Sequence, residues 1–244
     1  MNWRRPSANC KRAPSSGKDR IGVGNEPTPR HPHGRRGAID AVPQDPACPW
    51  IIDDLTRCGW STIPAFLPPV CVGLLASEAN TQWLAQAFHP AQIGRGPQET
   101  RRTESRSDHV LWLDEATTSG AQVQYFARME VMRLQIEEQL FLGMATVEAH
   151  LALYPIGSRY HRHSDALQGV HTRVLSTVLY LNDSWDATDG GALRLHVPEG
   201  DEEVIHDILP LAGTLALFLS DEIEHEVLPA LRERLSITGW LLRR

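Results

Sequence analysis

Two separated runs hold the side chains best suited to bind a metal: Tyr160-His161-Arg162-His163-Ser164-Asp165 and, much later, Glu224-His225-Glu226-Val227. Residues i and i+2 of a β-strand point to the same face, so His163 and Asp165 can reach one ion from one strand. With His225 they make two imidazoles and a carboxylate, the facial triad that seats non-haem Fe(II) and leaves three coordination positions open. Arg234 follows, a rigid fork of donors that matches a carboxylate bidentately. The open positions then suit a bidentate keto acid and O2.

These side chains need elements to carry them. Ala149-His150-Leu151-Ala152-Leu153-Tyr154 is apolar and extended in character, and Pro155 and Gly157 mark a bend before His163. Residues 213–220 read as a buried strand that ends in the polar turn Ser220-Asp221-Glu222, just ahead of His225. In the last strand Arg234, Ser236, Thr238 and Trp240 alternate with Leu235, Ile237, Gly239 and Leu241. A face of arginine, two hydroxyls and an indole suits a barrel interior that binds an anion, with Ser236 or Thr238 adding a donor to Arg234. A lone His-x-Asp means little in a chain of eleven histidines. The ordered set His163, Asp165, His225, Arg234 carries the reading. His161 competes for the metal, but it stands four residues from Asp165; His171 falls in a loop.

Upstream, residues 50–57 and 68–84 show helical apolar spacing, with a short strand-like run at 59–64 between them. A longer helix is expected over 122–142, its stripe of Phe126, Met129, Ile136 and Leu140 packing on the sheet. After Met144 the pattern turns to strands and turns. The expected fold is mainly β with supporting helices: a double-stranded β-helix (jelly-roll) core over 144–244, forming one domain with a support region over 48–143.

The chain has 244 residues and a formal charge of −6. Residues 1–47 are rich in Pro, Gly, Ser and Arg; their nine basic and four acidic residues give +5, against fifteen and twenty-six, or −11, in the rest. That tail reads as a disordered, solvated extension. The acidic domain argues against a nucleic-acid partner, since phosphate needs a basic groove. No run approaches the length of a membrane span and no apolar leader opens the sequence, so a cytoplasmic protein is expected. Cys10, Cys48, Cys58 and Cys71 are irregularly spaced and read as reduced thiols.

The run Tyr154, Gly157, Tyr160, His163, Asp165 reproduces Y-x-x-G-x-x-Y-x-x-H-x-D. Arg173, Tyr180-Leu181-Asn182, Trp185, Gly190-Gly191-Ala192-Leu193-Arg194, His225-Glu226-Val227, Arg234 and Trp240 follow in order. Over 147–240 the chain thereby resembles the prolyl-hydroxylase-like branch of the Fe(II)- and 2-oxoglutarate-dependent dioxygenases. It is nearest to bacterial SM-20-related proteins and, beyond them, to the oxygen-sensing prolyl hydroxylases. The resemblance implies Fe(II), 2-oxoglutarate and O2, with ascorbate as reductant. It gives Tyr180 to the distal carboxylate of 2-oxoglutarate beside Arg234, sets Tyr154 in the same pocket, and puts Tyr160 and Trp240 toward the substrate. Arg106-Ser107-Asp108-His109-Val110-Leu111-Trp112 resembles the Arg-x-Asp-x-x-x-Trp strand after the mobile substrate loop, which makes Arg106 and Asp108 substrate-side residues and 94–105 the loop. The bend over 154–160 is one residue shorter than in the animal oxygen sensors, so their peptide specificity is not carried over. A prolyl residue of a protein or peptide is the implied substrate. A free amino acid or small metabolite is the alternative, and a non-catalytic cupin-like module the remote one.

Overall fold

The computed structural model describes residues 49–91, 106–114, 118–166 and 172–243. The tail, the 94–105 segment and His171 lie outside the described residues. Helix α1 (Pro49–Cys58) leads into strand β1 (Trp60–Ile63), then α2 (Pro69–Leu84), β2 (His89–Pro90) and β3 (His109–Trp112). Helix α3 (Gly120–Leu140) precedes eight strands: β4 (Met144–Tyr154), β5 (Tyr160–His163), β6 (Arg173–Tyr180), β7 (Leu193–Glu199), β8 (Glu202–Ile208), β9 (Leu215–Leu219), β10 (Glu224–Val227) and β11 (Arg234–Arg243). They form a seven-stranded sheet in the order β1-β9-β6-β11-β4-β3-β2 and a four-stranded sheet in the order β5-β10-β7-β8. Every strand pair in both sheets is antiparallel. This is the expected jelly-roll, two sheets closing on one interior.

Alternation along the strands sorts side chains between two cores. On one face of the large sheet, Leu151 and Leu153 of β4, Leu175 and Leu179 of β6, Leu215 and Leu217 of β9 and Ile237 and Leu241 of β11 pack with the helices. The intervening residues Ala152, Tyr154, Val178, Tyr180, Ala216 and Phe218 turn inward to meet Leu193, Leu195 and Val197 of the small sheet. The helical region and the barrel thus share one apolar cluster.

Helix α3 begins where Ser119 accepts a hydrogen bond from the Gln122 amide at 3.2 Å. It stops at Phe141, whose φ of +50° is left-handed, so the helix ends at Leu140 and not at the expected 142. Its stripe is right: Met129, Ile136 and Leu140 are buried, and Phe126 packs against the same cluster. Gly239 in β11 is required by close approach. A Cβ there would stand 2.9 Å from the Glu148 carbonyl oxygen and 3.2 Å from the hydroxyls of Thr177 and Tyr125.

The cysteines need a correction. Cys71 is buried and free, but Cys58 is disulfide-bonded. Spacing in sequence carries no sign of two Cα atoms meeting across a fold. Among the described residues no helix is long and apolar enough to cross a membrane.

Candidate active site

Strand pairing builds the candidate metal cluster. His225 of β10 stands directly opposite His163, the last residue of β5. The strand ends there, so Asp165 sits in the bend beyond it and not on the strand, as the i, i+2 argument expected. Its side chain still turns back: His163 Nε2 lies 3.7 Å from one Asp165 oxygen and His225 Nε2 3.6 Å from the other. The three candidate ligand atoms all lie within 4.8 Å of one another. His161, the competitor, is exposed and outside this cluster. Its carbonyl oxygen lies 2.7 Å from His163 Nδ1, which fixes the tautomer that leaves Nε2 free as a ligand.

Electrostatics prepare the same donor set. Burial, reinforced by His225, pulls His163 down to about 3; burial likewise lowers His225. Both rings are therefore neutral near pH 7 and offer a lone pair. Burial opposes ionisation of Asp165, but His225, His163, the Ser176 hydroxyl and Arg173 outweigh it and hold the carboxyl well below its usual range. One anionic oxygen donor and two neutral nitrogens are what a ferrous ion takes.

A further ring of residues orients these ligands. The Ser176 hydroxyl donates to Asp165 Oδ2 at 2.7 Å, and the Trp240 indole N–H donates to the same oxygen at 3.0 Å. Arg173 lies 3.5 Å over the Trp240 ring. Tyr160 stacks on His163 with centroids 3.5 Å apart. Arg106 sits 4.6 Å over Tyr160 and grips buried Asp108 with two hydrogen bonds of 2.7 and 2.9 Å. Trp240, expected near the substrate, thus also holds the carboxylate. Trp240→Phe removes that N–H while keeping a ring. Orienting partners of this kind are worth about 10–100-fold in metal affinity, so competition with a chelator should show Fe(II) held at least about tenfold more weakly. Unchanged affinity would assign the contact no such role.

At the other end of the interior, Arg234 opens β11 opposite Tyr154 and is 1% exposed. Its Nε donates to the Gly191 carbonyl oxygen at 2.9 Å. Gly190 and Gly191 both have positive φ, and a Cβ at Gly191 would come 3.3 Å from Arg234 Cδ and 2.9 Å from Ala230 Cβ. The Gly-Gly pair therefore makes the cradle in which the arginine lies. The rings of Tyr154 and Tyr180 flank the guanidinium at 5.0 and 5.2 Å. Burial, only partly offset by Arg234, pushes the Tyr180 hydroxyl up to about 12, so it stays a donor. Among the described residues no carboxylate lies within ion-pair distance of Arg234. Its Nη2, the Tyr180 hydroxyl and Ser236 Oγ are buried and closed in no hydrogen bond. A buried cation with such donors beside it can take an anion.

Both ends open on one cavity of about 620 Å³, whose walls include His163, Asp165, His225, Arg234, Tyr154, Tyr160, Arg106, Thr238 and Trp240. Ser236, Tyr180 and Asp108 are buried without forming its wall. Ser176, His150 and Trp112 also line it and were not expected there. Ser176 and His150 could have been found by parity: Ser176 shares its strand face with Val178 and Tyr180, and His150 with Ala152 and Tyr154, all turned to the inner core.

Comparison with known proteins agrees with this geometry. Residues 149–242 match the model of the 2OG-Fe(II) oxygenase superfamily. The chain is 32% identical over 205 residues to a hypoxia-inducible factor prolyl hydroxylase of Caenorhabditis elegans, covering 79% of this chain but only 28% of that protein's length. The crystal structure of a Pseudomonas putida prolyl-4-hydroxylase superposes with a TM-score of 0.72 at 42% identity, covering 80% of this chain and 98% of that one. A Trichoplax adhaerens prolyl hydroxylase, solved with a hypoxia inducible factor oxygen degradation domain peptide fragment, shares the fold. Its TM-score is 0.70 at 24% identity, over 79% of this chain and 87% of that one.

Proposed function

Because the chain belongs to the prolyl-hydroxylase-like branch of the 2-oxoglutarate- and Fe(II)-dependent oxygenases, we propose that it hydroxylates a prolyl residue in a protein or peptide. His163, Asp165 and His225 hold the iron, and Arg234 with Tyr180 binds the distal carboxylate of 2-oxoglutarate. Ferrous iron, 2-oxoglutarate and O2 together supply the oxidation: one oxygen atom enters a C–H bond of the substrate, and the keto acid leaves as succinate and CO2.

The chain's own residues do the rest. Ser176 and Trp240 both donate to Oδ2 of Asp165, which would hold the carboxylate in place for the metal. Arg234, stripped of water, binds its carboxylate far more strongly than an exposed arginine does. That contact would anchor the keto acid in the cavity whose wall also carries the triad. Tyr160 and Arg106 line the way in on the β5 side, tied to Asp108. A peptide fragment bound to a Trichoplax protein of the same fold supports a peptide substrate here.

The observation that carries this reading is the pairing, in one cavity, of a three-ligand cluster with a buried arginine that faces no carboxylate. The test is succinate release from 2-oxoglutarate with a library of proline-containing peptides, Fe(II) and ascorbate as reductant. The expected result is succinate matched by a gain of about 16 Da on proline, one inserted oxygen. Oxidation of a free amino acid, with every peptide untouched, would overturn the peptide reading and leave the oxygenase assignment standing.

A further inference from the structure

His150 is a polar group in the cavity wall that neither the candidate metal cluster nor the arginine end uses. It lies on β4, where His150, Ala152 and Tyr154 face inward while Leu151 and Leu153 join the outer core. The side chain is 2% exposed, and both Nδ1 and Nε2 are buried without a hydrogen-bond partner among the described residues. Such a residue carries an uncompensated desolvation cost, which a leucine or methionine would remove. An unsatisfied imidazole in a cavity wall points to a partner that arrives from solution.

Position and chemistry narrow that partner. Strand register sets His150 beside Trp112 of β3 and Thr238 of β11. Its ring lies 4.9 Å from that of Trp112 and 5.4 Å from that of Trp240. Trp112 is 55% exposed, whereas Trp240 is buried and bonded to Asp165. His150 therefore stands between the mouth of the cavity and the metal cluster. Burial, with Arg106 and Arg173 nearby, takes the ring down to about 3, so it is neutral and offers one donor and one acceptor. A carboxylate needs donors only and is served by Arg234 elsewhere. A peptide group offers both an N–H and a carbonyl oxygen, which is the complement of a neutral imidazole.

We propose that His150 hydrogen-bonds the main-chain amide adjoining the oxidised residue of a peptide substrate, and so selects an extended peptide and sets its depth. The assignment rests on the peptide reading above. Its test compares wild type, His150→Leu and His150→Gln on the library peptide that wild type oxidises fastest. A lost hydrogen bond of about 1.4 kcal/mol should raise the peptide KM of His150→Leu about tenfold, with more 2-oxoglutarate consumed per hydroxylated product. Calorimetry on the Mn(II)-loaded protein should find 2-oxoglutarate affinity within about twofold of wild type, because Arg234 is untouched. The ligand-free leucine variant should melt about 2–4 °C higher, since the unsatisfied polar group is gone. His150→Gln keeps a donor and an acceptor and should recover most of the KM.

An unchanged peptide KM overturns the assignment. So does a fall in 2-oxoglutarate affinity equal to the KM change, which would move the contact to the co-substrate. A lower melting point without rescue by glutamine would make His150 structural. If wild type oxidises no peptide, the peptide reading fails and takes this assignment with it; if wild type does and His150→Leu does equally well, only the histidine's role is lost.

Discussion

His225→Ala is expected to abolish iron-dependent succinate release and to leave the fold in place. His225 supplies one of three candidate ligand atoms, and it comes from β10, whereas His163 ends β5 and Asp165 lies in the bend after it. Changing a residue that merely orients a ligand costs about 10–100-fold in metal affinity, so deleting the ligand should exceed about 100-fold. His163→Ala should match it, although that ring also supports Tyr160 across a 3.5 Å stack. The fold is held elsewhere, by the apolar cluster between helices and large sheet, so far-UV dichroism should hardly change. Melting points separate ligand loss from collapse. Bound metal stabilises by RT ln(1 + [L]/Kd), about 2.7 kcal/mol at one hundred times Kd. A chelator should lower the melting point of iron-loaded wild type and leave that of either alanine variant where it was. Wild-type turnover by either variant at limiting iron would remove the triad from the mechanism.

Much of this site was legible because its information runs along single strands. The parity of β11 alone put Arg234, Ser236, Thr238 and Trp240 on one face, and those four do turn away from the outer core that takes Leu235, Ile237 and Leu241. Contacts across the fold were not legible. Nothing local says that Trp240 will bond Asp165, that Ser176 will share that oxygen, or that His150 will stand between two tryptophans. Those depend on the register of β4, β6 and β11, and register is set by the whole sheet. The end of β5 at His163 was missed for a related reason: a two-residue period predicts direction only while the strand lasts. Asp165 joins the candidate cluster from a bend, where Ser176 and Trp240 both donate to its Oδ2. The disulfide at Cys58 had no local signature at all.

Arg234→Ala should raise the 2-oxoglutarate requirement more than any other substitution that spares the metal ligands. In the wild type the guanidinium is buried, fixed by Gly191, and has Nη2 unpaired. Truncating one partner of a buried, hydrogen-bonded charge pair costs about 2–5 kcal/mol, which corresponds to a rise in KM of roughly 30- to several-thousand-fold. Calorimetry of 2-oxoglutarate on the Mn(II)-loaded protein should show the same loss, separating binding from chemistry. Arg234→Lys should recover only part, because an ammonium keeps the charge but cannot reproduce the fork or the bond to Gly191. The control is Arg232, two residues earlier. It is exposed, donates to the Ser184 and Asp183 carbonyl oxygens, and lies over Trp185 outside the cavity. Arg232→Ala should shift the 2-oxoglutarate KM by less than about threefold, the scale of an exposed contact of under 1 kcal/mol. If the order were reversed, with Arg232 the more damaging loss, the anion would be bound at the rim and the buried arginine would need another explanation. The geometry argues for the first order: Arg234 packs against Gly191 with its Nε bonded to that residue's carbonyl oxygen, inside the cavity wall that Arg232 does not form.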